Sequence, residues 1–412
     1  MSMPTSEISI EELSPLFAKR IIQDVGGSGQ PPVYGYQFFT AGIGDFLTTI
    51  ENEYLADYIH HGGSSFKLVV GSYGGGKTHF LYSIQGLAWN YHYVSSYIEL
   101  KPDETPLHNL ESVYKSIVAN LLYPQTPESL LQGYDKGIEA VIKTWYYQKT
   151  QSILENHSEE EQQKIIKDIL SNIGPFESTS YLNAIKHAFT ALYKNDEDSF
   201  NLIIQWLKGE KPSASELKKF QINEKLDKST AFKFIRCLIR WLNEIGYAGL
   251  IILMDEAEQT PSMSSKQREK LLNNLRELVD ACSKGIVKGS MFFYAVPDES
   301  FLEGRTNIYE ALNQRLSTLF EGARNPTGVK IHLEKIGEDP EKFLIEIGKK
   351  LALIYEKAYD YKFDDTSVDH RIESVAKKVL EEKFGQISYK RLFVQEVIKN
   401  FHDLKSSPQT GS

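Results

Sequence analysis

One glycine-rich segment restricts the possible folds of this chain more than any other feature of the sequence. Residues Gly71 to Thr78 read GSYGGGKT and match the pattern G-x-x-x-x-G-K-[ST]. The apolar run FKLVV precedes the segment, and apolar residues at helical spacing follow it. This order predicts a buried strand, a tight loop and a helix. The backbone amides of such a loop can surround an anion, because its glycines have no side chains to obstruct the approach.

The segment therefore predicts a phosphate-binding loop, or P-loop, with a distinct role for each polar residue. Lys77 can reach the β- and γ-phosphates of a nucleoside triphosphate, and the hydroxyl of Thr78 can ligate Mg²⁺. The positive end of the helix that begins here also favours an anion. A strand–helix turn without a ligand would leave the Gly-Lys-Thr triplet unexplained. The predicted nucleotide-binding residues of the segment are Gly71, Ser72, Tyr73, Gly74, Gly75, Gly76, Lys77, Thr78 and His79.

A pair of acids ends the apolar run LIILM further along the chain. Asp255 is placed to hold Mg²⁺ through water, and Glu256 follows it directly. A carboxylate at the second position can orient and activate a water molecule against the γ-phosphate. Glu256 is thus the predicted catalytic base, and Asp255 joins Thr78 as a predicted metal-binding residue. The pair favours hydrolysis over transfer to a second substrate, with an ordinary solvated strand end as the alternative.

The alternation of predicted strands and helices indicates an α/β fold, a P-loop NTPase with a parallel sheet flanked by helices. Strand-like runs are lacking between about Pro124 and Lys228, where the apolar spacing predicts a helical insertion. From about Pro340 onward the spacing is helical, which predicts a C-terminal helical lid. The predicted divisions are an N-terminal part of the ATPase core at 1–123, the insertion at 124–230, a C-terminal part of the core at 231–337, the lid at 338–405 and a disordered tail at 406–412.

The signature segments of other P-loop classes narrow the choice. The chain has no Asn/Thr-Lys-x-Asp guanine signature and no Leu-Ser-Gly-Gly-Gln stretch, and no Ser-Ala-Thr motif follows its DEAE box. The strand predicted at MFFYAVPD lies where AAA+ ATPases carry sensor 1, and it ends in Asp298. AAA+ proteins usually have Asn, Ser or Thr there, so an ordinary loop acid is the alternative. We therefore predict the AAA+ type, with ATP and Mg²⁺ as its ligands.

Two arginines have predicted catalytic roles. Arg315, in YEALNQRLSTLF, lies where AAA+ proteins carry an arginine finger, which stabilises transition-state charge in a neighbouring subunit. A finger of this kind acts in trans and requires a ring or a dimer, so the finger assignment implies a homo-oligomer, while the sequence leaves the oligomeric state open. A helix-surface salt bridge is the alternative for this residue. In the lid helix predicted at FGQISYKRLFVQEVI, Arg391 is the predicted sensor-2 arginine, and Lys390 is the competing choice.

Composition limits the partners and the compartment. The 46 Lys and Arg against 55 Asp and Glu give a net charge of −9, which excludes a wholesale basic surface for nucleic acid. Any contact with duplex DNA would need a local patch. The two cysteines, Cys237 and Cys282, form no CxxC or Cys/His cluster. We see no signal peptide and no apolar run long enough for a membrane helix, so we expect a cytoplasmic protein without a membrane partner.

The predicted insertion contains one aromatic cluster, Trp145, Tyr146 and Tyr147. Its simplest interpretation is a part of the core of the insertion. A platform on which nucleic-acid bases stack is the alternative.

Several longer segments together resemble one protein family. They are AKRIIQDVGGSGQPPVYGYQFFTAGIGDFL, FKLVVGSYGGGKTHFL, YIELKPDETPLHNLESVYKSIVANL and LIILMDEAE. The resemblance is to the BREX-system ATP-binding protein BrxD family, AAA+-like P-loop ATPases of prokaryotic phage-defence islands. It covers most of residues 17–120 and 235–400. Its more specific signals are the RII helix with PP before the P-loop, and YIEL and TPLHNLESVY after it.

The resemblance implies an ATPase inside a multi-protein defence complex that distinguishes modified host DNA from phage DNA. Other defence-system proteins are then its partners, and it acts on or near DNA. A slow nucleotide-dependent switch or scaffold that recruits partners is the alternative. The resemblance also implies that FFTAGIGDFL shapes the adenine pocket, with Gly42 allowing close approach of the backbone. Family members often carry Gly-Arg-Glu in this segment, whereas Ile43 and Gly44 replace the charged pair here.

Overall fold

The central sheet has six strands in the order β3-β2-β4-β5-β1-β6. The computed structural model describes residues 9–101, 104–126, 129–130, 133–255, 263–304, 307–334, 339–382 and 389–406. Of the five neighbouring pairs that these residues form, β2–β3 is antiparallel and the others are parallel. The predicted α/β fold with a parallel sheet is thereby confirmed. The strands are β1 (Ser64–Val70), β2 (Val94–Glu99), β3 (Leu121–Leu122), β4 (Leu250–Asp255), β5 (Ser290–Val296) and β6 (Lys330–His332).

Helices cover both faces of the sheet. The first four are α1 (Pro15–Ser28), α2 (Gly44–Thr49), α3 (Lys77–Asn90) and α4 (Leu110–Ala119). The predicted insertion contains α5 (Ile138–Asn156), α6 (Glu159–Ser171), α7 (Thr179–Tyr193), α8 (Glu197–Leu207) and α9 (Ala214–Leu217). Next come α10 (Ala231–Glu244), α11 (Ser265–Ser283) and α12 (Asn307–Leu316). The C-terminal helices are α13 (Pro340–Tyr359), α14 (Asp365–Glu381) and α15 (Tyr389–Ser406).

The long apolar runs form central strands because both of their faces are covered. Every residue of β4 and of β5 is buried. Alternate residues of a strand point to opposite faces, so Leu68 and Val69 of β1 enter different hydrophobic cores. The core around Val69 includes residues of α3 and of the helical segment after α2. The core around Leu68 extends into the insertion, which therefore packs directly on one face of the sheet.

Large aromatic side chains pack the helices of the insertion against one another and against α10. Trp145 and Tyr146 of α5 are 2% and 8% exposed, and the Trp145 ring lies 4.6 Å from that of Phe189 and 6.0 Å from that of Trp241. The interpretation as core is confirmed for these two residues of the aromatic cluster. Tyr147, by contrast, is 63% exposed. Its ring stands 5.5 Å from that of Tyr146.

The helix α1 starts later than the sequence predicts and packs in an unexpected place. We predict a helix from about Glu11, whereas α1 begins at Pro15, because Ser14 accepts a hydrogen bond from the Phe17 amide and proline suits the first helical position. The sequence groups this segment with the ATPase core, at 1–123. Its buried residues share one hydrophobic core with α13, α14 and α15, which we call the lid core.

Two further elements differ from their predicted extents. The spacing of the apolar residues Phe46, Ile50, Leu55 and Ile59 predicts one α-helix. The segment is α-helical only to Thr49, and a π-helix continues it at Ile50–Tyr58. The segment GVKIHLEKI predicts a last strand, whereas the observed strand is limited to β6. It pairs with only three residues of β1, at the edge of the sheet.

Candidate functional site

The predicted P-loop forms a tight connection between β1 and α3. The backbone φ is +70° at Gly74 and +98° at Gly76, in a region that residues with side chains rarely adopt. A Cβ atom on Gly75 would lie 2.9 Å from the carbonyl oxygen of Ser72. The loop can therefore close only with glycine at these three positions, which gives the sequence pattern its physical basis.

The side chain of Lys77 folds back onto this loop. The residue is 6% exposed, and its Nζ donates hydrogen bonds to the carbonyl oxygens of Gly71 at 2.9 Å and Ser72 at 3.2 Å. The ammonium group thus lies at the loop where a bound phosphate would need it. Phosphate binding by Lys77, and by the loop residues predicted with it, stays a prediction.

Two predicted metal-binding residues are in contact at the carboxyl end of strand β4. Asp255 ends β4 and is 1% exposed, and its Oδ2 accepts a hydrogen bond of 2.7 Å from the Thr78 hydroxyl at the start of α3. Carboxylate and hydroxyl oxygens are ligands that Mg²⁺ prefers, so this pair fits a magnesium ion bound next to the loop. Residues 256–262 are outside the described part of the chain, and the predicted catalytic base Glu256 is among them.

A tyrosine from the neighbouring strand also contacts this carboxylate. Tyr97 of β2 donates a hydrogen bond of 2.8 Å to the same oxygen, Oδ2 of Asp255. Burial, and then the negative charge of Asp255, raise the pKa of Tyr97, so the phenol stays protonated and acts as the donor. Tyr97 belongs to the YIEL segment, but no sequence motif connects it to the acid pair.

The loop faces a cavity whose opposite wall comes from the lid core. The side chains of this wall are mostly apolar, as a nucleotide base requires. Gly42, with a φ of +69°, also lines the cavity, as the adenine-pocket interpretation requires, and Ile43 stands beside it. The remaining apolar residues of the wall include Val25, Phe39, Ala41, Phe343, Ile347 and Val394.

His79, predicted to bind the nucleotide, has protein partners of its own. Its Nε2 lies 2.8 Å from Thr40 Oγ1, and its ring packs against those of Tyr36 and Phe39. Burial, and then the positive charge of Lys390, lower the pKa of His79 to about 4. The imidazole is therefore neutral at neutral pH, and it connects α3 to the segment that holds Gly42.

Both candidates for sensor 2 line the cavity, with different partners. Lys390 Nζ donates to the carbonyl oxygen of Gly75 in the P-loop at 3.0 Å. Arg391 Nε donates to the carbonyl oxygen of Ser28 at the end of α1 at 2.6 Å. The other end of its guanidinium lies 3.4 Å from the Tyr73 hydroxyl. Lys390 thus contacts the P-loop main chain, whereas the main bond of Arg391 is to α1.

The two remaining predicted residues lie away from this cavity. Arg315 pairs with Asp280 of α11 and donates to the carbonyl oxygen of Ala311 at 2.8 Å. This contact is the helix-surface salt bridge left open as the alternative, and a role of Arg315 toward a second subunit stays a prediction. Asp298 Oδ1 accepts a 2.7 Å hydrogen bond from the Ser300 amide in the loop after β5.

One acid at the loop belongs to no recognisable sequence motif. Glu334, just after β6, accepts a hydrogen bond of 3.1 Å from the Ser72 amide and also lines the cavity. The two residues are 262 positions apart in the chain, and no local pattern marks Glu334. Its carboxylate ties the last strand to the first turn of the P-loop.

Comparison with protein families gives one match. A family model described as BREX system ATP-binding protein BrxC/D matches residues 14–411. Comparisons with curated proteins and with solved structures give no match. Within the part of the chain that the structure describes, no helix combines the length and the apolar character that a membrane crossing needs. The matched range includes every element that lines the cavity.

Proposed function

This chain belongs to the BREX system ATP-binding protein BrxC/D family, and we propose that it binds ATP with Mg²⁺ and hydrolyses it. The observation that carries the proposal is the hydrogen bond of 2.7 Å between Thr78 and Asp255. It joins the end of the P-loop to the end of β4, and it supports the proposal because a hydroxyl and a carboxylate at this point could hold the metal of a bound triphosphate. A glycine-rich turn without a ligand would not need this buried acid.

Each predicted residue then has a task in the reaction. Backbone amides of the loop and the Lys77 ammonium bind the β- and γ-phosphates, and Thr78 and Asp255 hold the metal. Bound Mg²⁺ would neutralise charge on the phosphate oxygens. To Glu256, which follows Asp255 in the sequence, we assign the task of orienting a water molecule toward the γ-phosphorus and accepting its proton.

Several features support an ATPase of AAA+ type. The strand β5, predicted to carry sensor 1, lies between the P-loop strand β1 and the acid-bearing strand β4. The C-terminal helices supply Lys390 and Arg391 to the nucleotide cavity, as a lid would. The assignment to BrxD within the wider family rests on the specific segments before and after the P-loop.

Phosphate release by the purified protein tests the hydrolytic function. We expect Glu256→Gln to retain Mg²⁺·ATP binding and to lower turnover by about 10²- to 10⁴-fold, the usual contribution of a general base. Lys77→Ala should lose affinity for ATP itself. Glu310→Gln, an exposed acid on α12, is the control and should behave as wild type. Equal turnover in wild type and Glu256→Gln would remove the hydrolytic interpretation.

A slow nucleotide-dependent switch is the second candidate, and the contact between Lys390 and the Gly75 carbonyl favours it. Because this hydrogen bond joins the lid to the P-loop, a nucleotide that moves the loop would also move the lid. A switch would turn over once and then keep ADP bound. Single-turnover measurements distinguish the two candidates, since a motor releases ADP quickly and continues.

The family also motivates proposals about partners. We propose that the protein works in the cytoplasm with other proteins of an anti-phage defence complex, on or near duplex DNA. The C-terminal helices carry about as many acids as Lys and Arg residues, so a DNA contact would be local. Binding of labelled duplex DNA across a salt series is the test, because contacts to phosphate weaken steeply as salt rises. A flat response would argue against them.

A further inference from the structure

We propose that Tyr97 is a positioning residue that fixes the orientation of the Asp255 carboxylate for the magnesium ion bound with ATP. The inference rests on the proposed function, because it concerns the same metal site. It adds a residue that neither the P-loop pattern nor the acid pair includes, and it assigns a specific task to the second strand of the sheet.

The register of the sheet explains how the side chain of Tyr97 reaches the acid. Strands β2 and β4 are parallel neighbours, with Tyr97 opposite Leu253 and Glu99 opposite Asp255. Tyr97 and Asp255 therefore project to the same face of the sheet, one diagonal step apart. Aromatic side chains span such diagonal distances. The phenol oxygen consequently lies 2.8 Å from Oδ2 of Asp255.

Two donors converge on one oxygen of a buried carboxylate. Thr78 and Tyr97 both donate to Oδ2, at 2.7 Å and 2.8 Å, and Asp255 is 1% exposed. A hydroxyl that ligates a metal through an oxygen lone pair still has its hydrogen to donate. Thr78 would therefore serve metal and carboxylate together. Tyr97 serves the carboxylate alone and holds its plane in place before the metal arrives.

Tyr97 acts through Asp255 and does not touch the ligand. It is not among the described residues that line the nucleotide cavity. Its ring packs against that of Tyr82, with 4.9 Å between the centroids, which restricts the direction in which the hydroxyl points. Partners that orient metal-binding carboxylates in this way usually contribute about 10- to 100-fold to metal affinity.

The substitution Tyr97→Phe removes the hydroxyl and keeps the ring. The first readout is the affinity of the protein–ATP complex for Mn²⁺, followed by electron paramagnetic resonance. The second is the affinity for ATP in the presence of EDTA. We expect Mn²⁺ affinity to fall by about 10-fold or more, and metal-free ATP affinity to remain as in wild type.

Tyr93→Phe is a matched control for the loss of a buried hydroxyl. Tyr93 is 0% exposed and donates a hydrogen bond of 2.8 Å to the carbonyl oxygen of Leu55, away from the acid. The substitution Tyr93→Phe should lower the melting temperature by about as much as Tyr97→Phe does, and it should leave the affinity for Mn²⁺ unchanged. If Tyr97→Phe melts far below Tyr93→Phe, the same measurements are made at low temperature, where both variants are folded.

A double-mutant cycle with Asp255→Asn identifies the route of the effect. We expect Tyr97→Phe to change Mn²⁺ affinity in the wild-type background and to have little further effect when Asp255→Asn is already present. Unchanged Mn²⁺ affinity in Tyr97→Phe, or an equal loss in both backgrounds, would overturn the positioning role while leaving the proposed function intact. Failure of the wild-type protein to bind Mn²⁺ with ATP would overturn both.

Discussion

At the scale of single residues, His79 shows how closely the start of α3 is tied to the other wall of the cavity. Its ring bonds to Thr40 and packs against Tyr36, so three segments meet at one imidazole. Burial, followed by the charge of Lys390, lowers its pKa to about 4. An unfolded chain would bind a proton at this residue near pH 6.5.

We expect His79 to make the folded protein less stable as the pH falls from about 6.5 toward 4. In this window the unfolded chain takes up a proton that the folded chain does not, so the free energy of unfolding decreases. Above pH 6.5 the residue is neutral in both states and this dependence vanishes. His79→Gln keeps a polar partner for Thr40 and cannot take up the proton.

The measurement is urea denaturation of wild type and His79→Gln at about pH 7 and about pH 5, on either side of the ordinary histidine pKa. When the pH falls from about 7 to about 5, the free energy of unfolding should decrease more in wild type than in His79→Gln. Equal losses would mean that His79 has an ordinary pKa in the folded protein.

At the scale of single residues, the sequence predicts only those site residues that belong to one contiguous motif. Thr78 and Asp255 could each be recognised from adjacent letters, and the structure brings them into contact. Tyr97 could not, because its partner is 158 positions away and any residue of β2 fits the strand pattern equally well. The same holds for Glu334, whose contact to Ser72 depends on which strand forms the sheet edge.

At the scale of secondary-structure elements, helix α15 is attached to two different partners through adjacent residues. Lys390 bonds to the P-loop, and Arg391 bonds to the last turn of α1. Gln395, one turn later, donates to the carbonyl oxygen of Gly27 at 3.0 Å. The end of α1 is therefore capped by α15, because the last carbonyl groups of a helix have no partners within it.

Substitution of these neighbours should separate nucleotide response from stability. We expect Lys390→Met to weaken ATP affinity or turnover by about 10-fold or more, because its ammonium group lies at the P-loop and one charge-assisted bond to a phosphate would be worth roughly 1.5–3 kcal/mol. Arg391→Met should mainly lower the melting temperature, because it removes a cap of α1. Calorimetric ATP titration and thermal melting provide the two readouts. If Arg391→Met weakens ATP binding and Lys390→Met mainly lowers the melting temperature, Arg391 is the sensor-2 residue, as its place in the sequence predicts.

The insertion offers a test of how far the sheet and its helices unfold together. Trp145 packs against Phe189 and Trp241 in a core that continues into the sheet. We expect Trp145→Ala to destabilise the protein by about 3–5 kcal/mol and to shift one cooperative urea transition. Tyr147→Ala, on the same helix but 63% exposed, should remain within about 0.5 kcal/mol of wild type. A separate early transition in Trp145→Ala would mean that the insertion unfolds alone.

Strong periodicity decides which elements can be predicted. The buried strands β1, β4 and β5 are continuous apolar runs, and helices α10 and α15 have clear apolar faces, so their existence follows from the sequence. The start of α1 is displaced from the predicted position because the local bond of Ser14 and the proline after it outweigh the apolar spacing. The π-helix at Ile50–Tyr58 has no counterpart in a pattern of period 3.6.

At the scale of the whole molecule, the position of Arg315 bears on whether the active unit contains more than one copy. Arg315 is not among the described residues that line the cavity at the P-loop, and its partner Asp280 is on helix α11. A finger in trans would have to exchange this partner for a phosphate of the neighbouring copy. Such an exchange is favoured only when two copies and ATP are present together.

We expect Arg315→Ala to lower turnover by about 10³-fold, the lower range for an arginine finger, without weakening ATP binding. In wild type, turnover per chain should rise with protein concentration, whereas in the variant it should not. Asp280→Asn is the matched control, because it breaks the same ion pair and leaves the arginine available. Equal effects of the two substitutions would mean that Arg315 acts only through its surface salt bridge with Asp280.

The packing of α1 with the last three helices has a mechanical consequence for the lid core. Because segments from the beginning and the end of the described chain form one body, this body is joined to the sheet by two covalent connections, one near Gly42 and one after Leu333. Both connections border the nucleotide cavity. A ligand that shifts these two junctions would act close to the pivot of the lid core, so a small displacement there would become a larger one at the far end of its helices.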